Sequence, residues 1–135
     1  MPSYSAFCSS DRENYYLSTR SKGNLGEDLA CSLLEEKGYD ICARNYRCKF
    51  GEIDIVARKG NTYVFVEVKS RAHSDSGYAE EAVSFLKQKK ICAAADHFRM
   101  RMQITEQSGF RFDVITINRG EVTHHENAFP YAGRV

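Results

Sequence analysis

Asp54, Glu67 and Lys69 share one stretch, GEIDIVARKGNTYVFVEVKSR, with Glu52 two residues ahead of Asp54. Two or three carboxylates brought together can hold a hard divalent cation alongside water and phosphate oxygens. A lysine beside them can orient, or help deprotonate, a water bound there. Without a cation the arrangement is unfavourable: two like charges ~4 Å apart repel by roughly 1 kcal/mol in water and ~4 at an intermediate dielectric. A second reading stays open, in which these residues form a solvated sheet end and Lys69 simply pairs with the acids.

A β-hairpin must position them. Apolar, β-branched runs flank Lys59-Gly60-Asn61-Thr62, and Gly-Asn between two such runs signals a two-residue turn. Pairing Lys59 with Thr62 carries Asp54 opposite Glu67 and Glu52 opposite Lys69. Strand side chains alternate between faces. One face then holds Ile53, Ile55 and Ala57 against Val64, Val66 and Val68, which is core. The other holds Tyr63, Phe65, Glu67 and Lys69 against Arg58, Val56, Asp54 and Glu52, apolar near the turn and charged at the far end.

Asp54 followed by Glu67-Val68-Lys69 resembles the PD-(D/E)xK signature of restriction-endonuclease-like nucleases. The longer match, Gly51-Glu52-Ile53-Asp54 with Val64-Phe65-Val66-Glu67-Val68-Lys69-Ser70-Arg71, resembles the YraN-like family of uncharacterised bacterial proteins. That family is itself similar to archaeal-type Holliday junction resolvases. The resemblance runs from Gly26-Glu27 to about Ile117.

It implies an α/β fold with a restriction-endonuclease-like core, a mixed central sheet flanked by helices. It also implies a metal-dependent endonuclease hydrolysing DNA phosphodiesters with Mg²⁺ (or Mn²⁺), branched or junction DNA among the candidate substrates. In that scheme Asp54, Glu67 and the main-chain carbonyl of Val68 hold the metal, and Lys69 positions the attacking water. Glu27 adds a carboxylate, because Gly26-Glu27-x-x-Ala30 matches the family's first-helix motif; on its own, Glu27 reads as an acid favouring the dipole of a first helical turn. Lys87-Gln88 ahead of Ile91 resembles the family's second-helix segment. A homodimer is expected on the same ground, since junction resolvases act as dimers on a two-fold symmetric substrate.

A chain of 135 residues with 42% hydrophobic and 27% charged side chains fits one domain with a real core. No apolar run approaches a membrane span and no secretory signal is visible. Five cysteines without C-x-x-C spacing argue against a disulfide framework and for a reduced, cytoplasmic protein; Cys31, Cys42 and Cys92 read as small buried hydrophobes. Net charge of +1 gives no global pull on nucleic acid. Any DNA contact must come from a local basic surface.

In chain order, residues 1–23 read as a loosely attached extension, residues 24–126 as the nuclease-like domain and residues 127–135 as a loose tail. Asn24 is a candidate N-cap for a helix that Gly38 stops. Tyr39 to Tyr46 is the first strand, with Ile41 and Ala43 on one face and Cys42 and Arg44 on the other. Arg47 and Lys49 follow in a loop ahead of the acidic end. Arg71 and the solvated His73 lie in a loop after Lys69. Glu80 to Met102 is the longest helical pattern, with an expected apolar face that includes Val83, Leu86 and Phe98. Its polar side carries Lys87, Gln88, Lys89 and Lys90. Together with Arg47, Lys49 and Arg71, these form the candidate phosphate-backbone contact. Phe110 to Asn118 is a strand, and Glu121 to Glu126 a short edge strand with His124 and His125 on the surface.

Two alternatives to an enzyme remain: a nucleic-acid-binding module that keeps the fold without cleavage, and an interaction domain whose acidic patch meets a protein partner.

Overall fold

Gly60, with φ 62°, turns the chain where the sequence signal places it. In the computed structural model, which describes residues 25–70 and 83–133, Lys59 pairs with Thr62 and the antiparallel register continues to Ile55↔Val66 as expected. The elements are α1 (Leu25–Glu36), β1 (Asp40–Cys48), β2 (Gly51–Lys59), β3 (Thr62–Ser70), α2 (Phe85–Arg101), β4 (Gly109–Asn118) and β5 (Glu121–Phe129). They form an α/β fold around one five-stranded sheet in the order β1-β2-β3-β4-β5. The sheet is mixed, because β3 and β4 run parallel while every other neighbouring pair is antiparallel. A parallel pair needs a crossover connection, and α2 lies within it.

Among the described residues, each face of the sheet carries one helix. Ala30, Cys31 and Leu34 of α1 pack with Ile41, Ile55, Ala57, Val64, Val66, Ile115 and Ile117. Ile91, Cys92, Ala94, Ala95 and Phe98 of α2 pack on the other face with Val56, Tyr63, Phe65, Phe112 and Val114. The three cysteines expected in the interior are buried and free. α1 ends at Gly38, whose φ of 94° suits glycine, and the Tyr39 N–H returns to the Leu34 carbonyl. Asn24 lies outside the described residues.

Several expectations need correction. β1 runs from Asp40 to Cys48, so Arg47 belongs to a strand rather than a loop. A bulge between Ile41 and Ala43 shifts the pairing, so Cys42 and Ala43 both join the α2-side core while Ile41 joins the α1 side. Farther along, Asn45 takes a left-handed φ of 52°. The strand rolls over there: Arg44 meets Asp28 of α1, while Tyr46 packs edge-on against Phe98 of α2. Their partners on β2 follow, Ile55 entering the α1-side core and Ile53 the α2-side core. The strict alternation expected for β2 therefore fails between Ile53 and Ile55, and Asp54 sits at the crossover.

α2 begins at Phe85, capped by Ser84, whose hydroxyl accepts the Lys87 N–H at 3.2 Å. Of the helix expected from Glu80, residues 80–82 lie outside the described residues. Leu86, expected on the apolar face, is 66% exposed. Residues 127–129 are not a loose tail: β5 reaches Phe129, which stacks on Phe112 with ring centroids 5.3 Å apart. Tyr131 continues the aromatic row and donates to Asp96 at 2.7 Å. His124 is not a surface residue either. Its side chain is 2% exposed, and its Nε2 lies 2.7 Å from the carboxylate of the fully buried Asp113.

Candidate functional site

The hydrogen-bonded ladder between β2 and β3 ends at Ile55↔Val66. One residue farther out, the Asp54 Oδ2 accepts the main-chain N–H of Val68 at 2.8 Å. The carboxylate thus takes a position that a β2 carbonyl would fill in a continuing ladder, and it lies toward β3 beside Glu67. Burial first, and then the Glu67 charge, push the Asp54 carboxyl up to about 7. The Val68 N–H works against them, while Glu27 and Glu52 add to them. Metal-free, Asp54 therefore keeps its proton to higher pH than an ordinary aspartate. The expected pairings of Asp54 with Glu67 and Glu52 with Lys69 lie beyond the observed ladder, yet Glu67, Glu27 and Glu52 all act on Asp54 electrostatically.

Glu67 is raised as well, chiefly by burial, and is held down by Lys87 and Lys69. Lys87 Nζ lies 3.5 Å from Glu67 Oε2. α2 thereby delivers a cation to the β3 acid, and the Ser84 cap that starts the helix fixes where that cation stands. Lys69 is near enough to Glu67 to stabilise its charge. Glu52 is half exposed and pairs with Arg47 at 3.1 Å on the neighbouring strand.

Glu27 is only 4% exposed although it lies in the first turn of α1. Asn45 Nδ2 donates to its Oε1 at 2.7 Å, and Arg44 Nη2 lies 3.5 Å away. A first-turn acid serving only the helix dipole would face solvent, whereas this one is directed at the sheet and adds to the field at Asp54. The rolled-over segment of β1 supplies both partners. The sequence marks Arg44 as a candidate phosphate contact beside Arg47 and Lys49, whereas here it pairs with Glu27 and Asp28; for Asn45, an Asn tolerant of left-handed φ was the available sign.

The basic residues divide. Lys49, Lys87 and Lys90 line a cavity of about 480 Å³ with Cys48, Phe50, Gly51 and Glu52, directly beside the acids. Lys89 points to a separate groove. The Gln88 side chain donates to the Val83 carbonyl at 2.8 Å, which ties it to the helix start. Arg71 and His73 lie outside the described residues.

The donor set, the carboxylate oxygens of Asp54 and Glu67 at one strand end, suits a hard cation. Among the described residues, no three His, Cys, Asp or Glu side chains gather tightly enough to enclose a metal by themselves. One or two carboxylates completed by water and phosphate oxygens is the pattern of Mg²⁺, not of a closed structural site.

A second polar cluster lies on the α1 side of the sheet. Asp113 accepts from Arg111 Nε at 2.9 Å, from the Asn127 N–H at 2.9 Å and from His124. Burial alone would raise the Asp113 carboxyl, but these hydrogen bonds outweigh it and hold it below the usual range. Lys37 Nζ approaches His124 Nδ1 at 2.8 Å, so α1, β4 and β5 are tied together. Among the described residues, no helix is long and apolar enough to cross a membrane.

Comparison with known proteins points to one group. The chain is 40% identical over 117 residues to a UPF0102 protein of Lachnoclostridium phytofermentans, covering 87% of this chain and 99% of that one. It is 44% identical over 101 residues to a UPF0102 protein of Caldicellulosiruptor saccharolyticus, covering 75% and 85%. A UPF0102 protein of Legionella pneumophila is 37% identical over 113 residues, covering 82% and 96%. Residues 26–117, which hold Glu27, Asp54, Glu67, Lys69 and Lys87, match the pattern of the uncharacterised protein family UPF0102. The chain belongs to that family, the YraN-like group.

Proposed function

We propose that this protein is a Mg²⁺-dependent (or Mn²⁺-dependent) endonuclease that hydrolyses DNA phosphodiester bonds, branched or junction DNA among its substrates. One observation carries the reading: Asp54 stands half-buried beside Glu67, its carboxylate held by the Val68 N–H, and burial first, then the Glu67 charge, raise its carboxyl to about 7. An arrangement this unfavourable without a cation has a reason to exist where a cation is held.

Asp54 and Glu67 would hold the ion, with the Val68 carbonyl as the main-chain donor. When bound there, the ion would supply Lewis-acid polarisation of the phosphoryl oxygen and charge stabilisation at the leaving oxygen. The Val68 N–H fixes the Asp54 carboxylate, so this donor is in place before substrate arrives. Lys69 would donate hydrogen bonds to the attacking water and a phosphate oxygen, holding both for in-line approach. Glu27, fixed by Asn45 and Arg44, would hold water at the α1 edge of the site. Lys87, Lys49 and Lys90 would take phosphates on either side of the scissile one, as cations do along a DNA backbone.

A second reading rests on the ion pair between Lys87 and Glu67 at 3.5 Å. A lysine from the chain itself already neutralises one acid, which suits a nucleic-acid-binding module without cleavage. A nuclease assay over linear, single-stranded, flap and four-way DNA with Mg²⁺ and Mn²⁺ separates the two. Metal-dependent cutting that vanishes in Asp54→Asn supports the enzyme; tight binding without cutting on every substrate supports the module.

A further inference from the structure

Phe50 lies in the turn between β1 and β2 and is 47% exposed. It forms a wall of the basic cavity beside the acids and also of a larger groove of about 750 Å³ along α2. The groove is lined by apolar Ala93, Met100 and Ile104 and by polar Lys89, His97 and Arg99. His97 stands against Phe50, with ring centroids 6.0 Å apart. Its Nδ1 meets the hydroxyl of the buried Tyr46. With Tyr46 donating, the ring proton resides on Nε2, which then acts as a donor. The one acid of the groove, Asp96, is engaged by Arg99 at 3.4 Å and by Tyr131. The groove therefore favours a planar, apolar ligand carrying negative charge.

We propose that this groove receives an unstacked nucleotide of the substrate strand, its base on the Phe50 ring and its phosphate toward Lys89 and His97. The proposal rests on the nucleic-acid reading above and sharpens it to a substrate with unpaired bases next to the acids. Two observations select this occupant. The groove shares its Phe50 wall with the cavity beside the acids, and its two cations, Lys89 and Arg99, outnumber its one acid, Asp96, as suits a phosphate. Aromatic stacking is how proteins hold single-stranded bases, because every base presents a π-face. A fully paired duplex keeps its bases stacked and offers nothing to Phe50.

The test measures affinity without metal, so it does not depend on cleavage. A labelled oligothymidylate and a duplex of equal length are titrated with the full chain in EDTA, by fluorescence anisotropy. Phe50→Ala should weaken the single strand by roughly 5- to 150-fold, the range for one lost stacking contact, and change duplex affinity less than about twofold. Phe50→Trp should restore single-strand binding. If Phe50→Ala does not fold, Phe50→Leu keeps apolar volume without a π-face and should show the same selective loss. Equal weakening of both ligands, or no weakening, overturns the stacking role while leaving the endonuclease reading intact. Binding of neither ligand by the wild type, in EDTA and again with Ca²⁺ in its place, overturns both.

Discussion

The Asp54 carboxylate accepts the main-chain N–H of Val68 at 2.8 Å, one residue beyond the last hydrogen-bonded pair of the β2–β3 ladder. A side chain replaces a main-chain carbonyl at the point where the strands part. The bond holds the acid beside Glu67 instead of letting it turn out to solvent. Burial and the neighbouring charge then raise its carboxyl to about 7.

A pH dependence of stability follows. The folded carboxyl is raised above its unfolded value, so the native state binds the extra proton, and stability falls as pH rises from about 4 through 7. Asp54→Asn removes the titration while keeping an acceptor for the Val68 N–H. Urea unfolding in EDTA should show the variant near wild type at pH 4 and more stable than wild type at pH 8. The expected gap is up to about 4 kcal/mol, because a rise from about 4 to about 7 is roughly three tenfold changes in proton affinity at about 1.4 kcal/mol each. A difference that does not change with pH would mean that Asp54 is not strained by its surroundings.

Asp113 predicts the opposite sign. Its hydrogen bonds with His124, Arg111 and the Asn127 N–H hold its folded carboxyl low, so its contribution is present above the unfolded value and lost as pH falls through the folded one. Asp113→Ala leaves Arg111 and His124 without their shared acceptor. It should lower stability by about 3–5 kcal/mol, as breaking one side of a buried pair does, measured by denaturant unfolding at pH 7. A loss below about 1 kcal/mol would show that the cluster is solvated.

Nucleic-acid affinity should fall steeply with salt. Changing Lys87, Lys89 and Lys90 together to Ala should reduce the slope of log K against log salt by roughly 2.7 for duplex DNA if all three contact phosphates. Lys87 already pairs with Glu67 and Lys89 lines the other groove, so a decrease nearer to one contact would single out Lys90. An unchanged slope would make this helix face a solvated one.

Much of this was legible in the sequence because it rests on local rules. The Gly60-Asn61 turn fixed the hairpin register, and the apolar runs of β2, β3 and β4 marked the core. What the sequence hid was non-local. The roll-over at Asn45 moves Ile53 to the opposite core from Ile55, which no alternation pattern records. His124 looks like an exposed strand histidine until Asp113, from the neighbouring strand, meets it in the interior. Phe129 and Tyr131 come after the polar run His124 to Asn127, and only their stacking on Phe112, with Tyr131 also edge-on to Phe110, shows why the chain packs there. Phe50 carried no motif, and its interest comes from the two cavities it separates.

Calorimetric titration of Mg²⁺ into wild type, Asp54→Asn and Lys69→Ala tests the central claim most directly, that Asp54 and Glu67 together hold a divalent cation. The account predicts measurable binding to wild type, at least roughly tenfold weaker binding to Asp54→Asn after loss of one charged ligand, equivalent to about 1.4 kcal/mol, and near-wild-type binding to Lys69→Ala. Equal Mg²⁺ affinity in wild type and Asp54→Asn would contradict it, and the acidic corner would then be a structural or partner-binding feature.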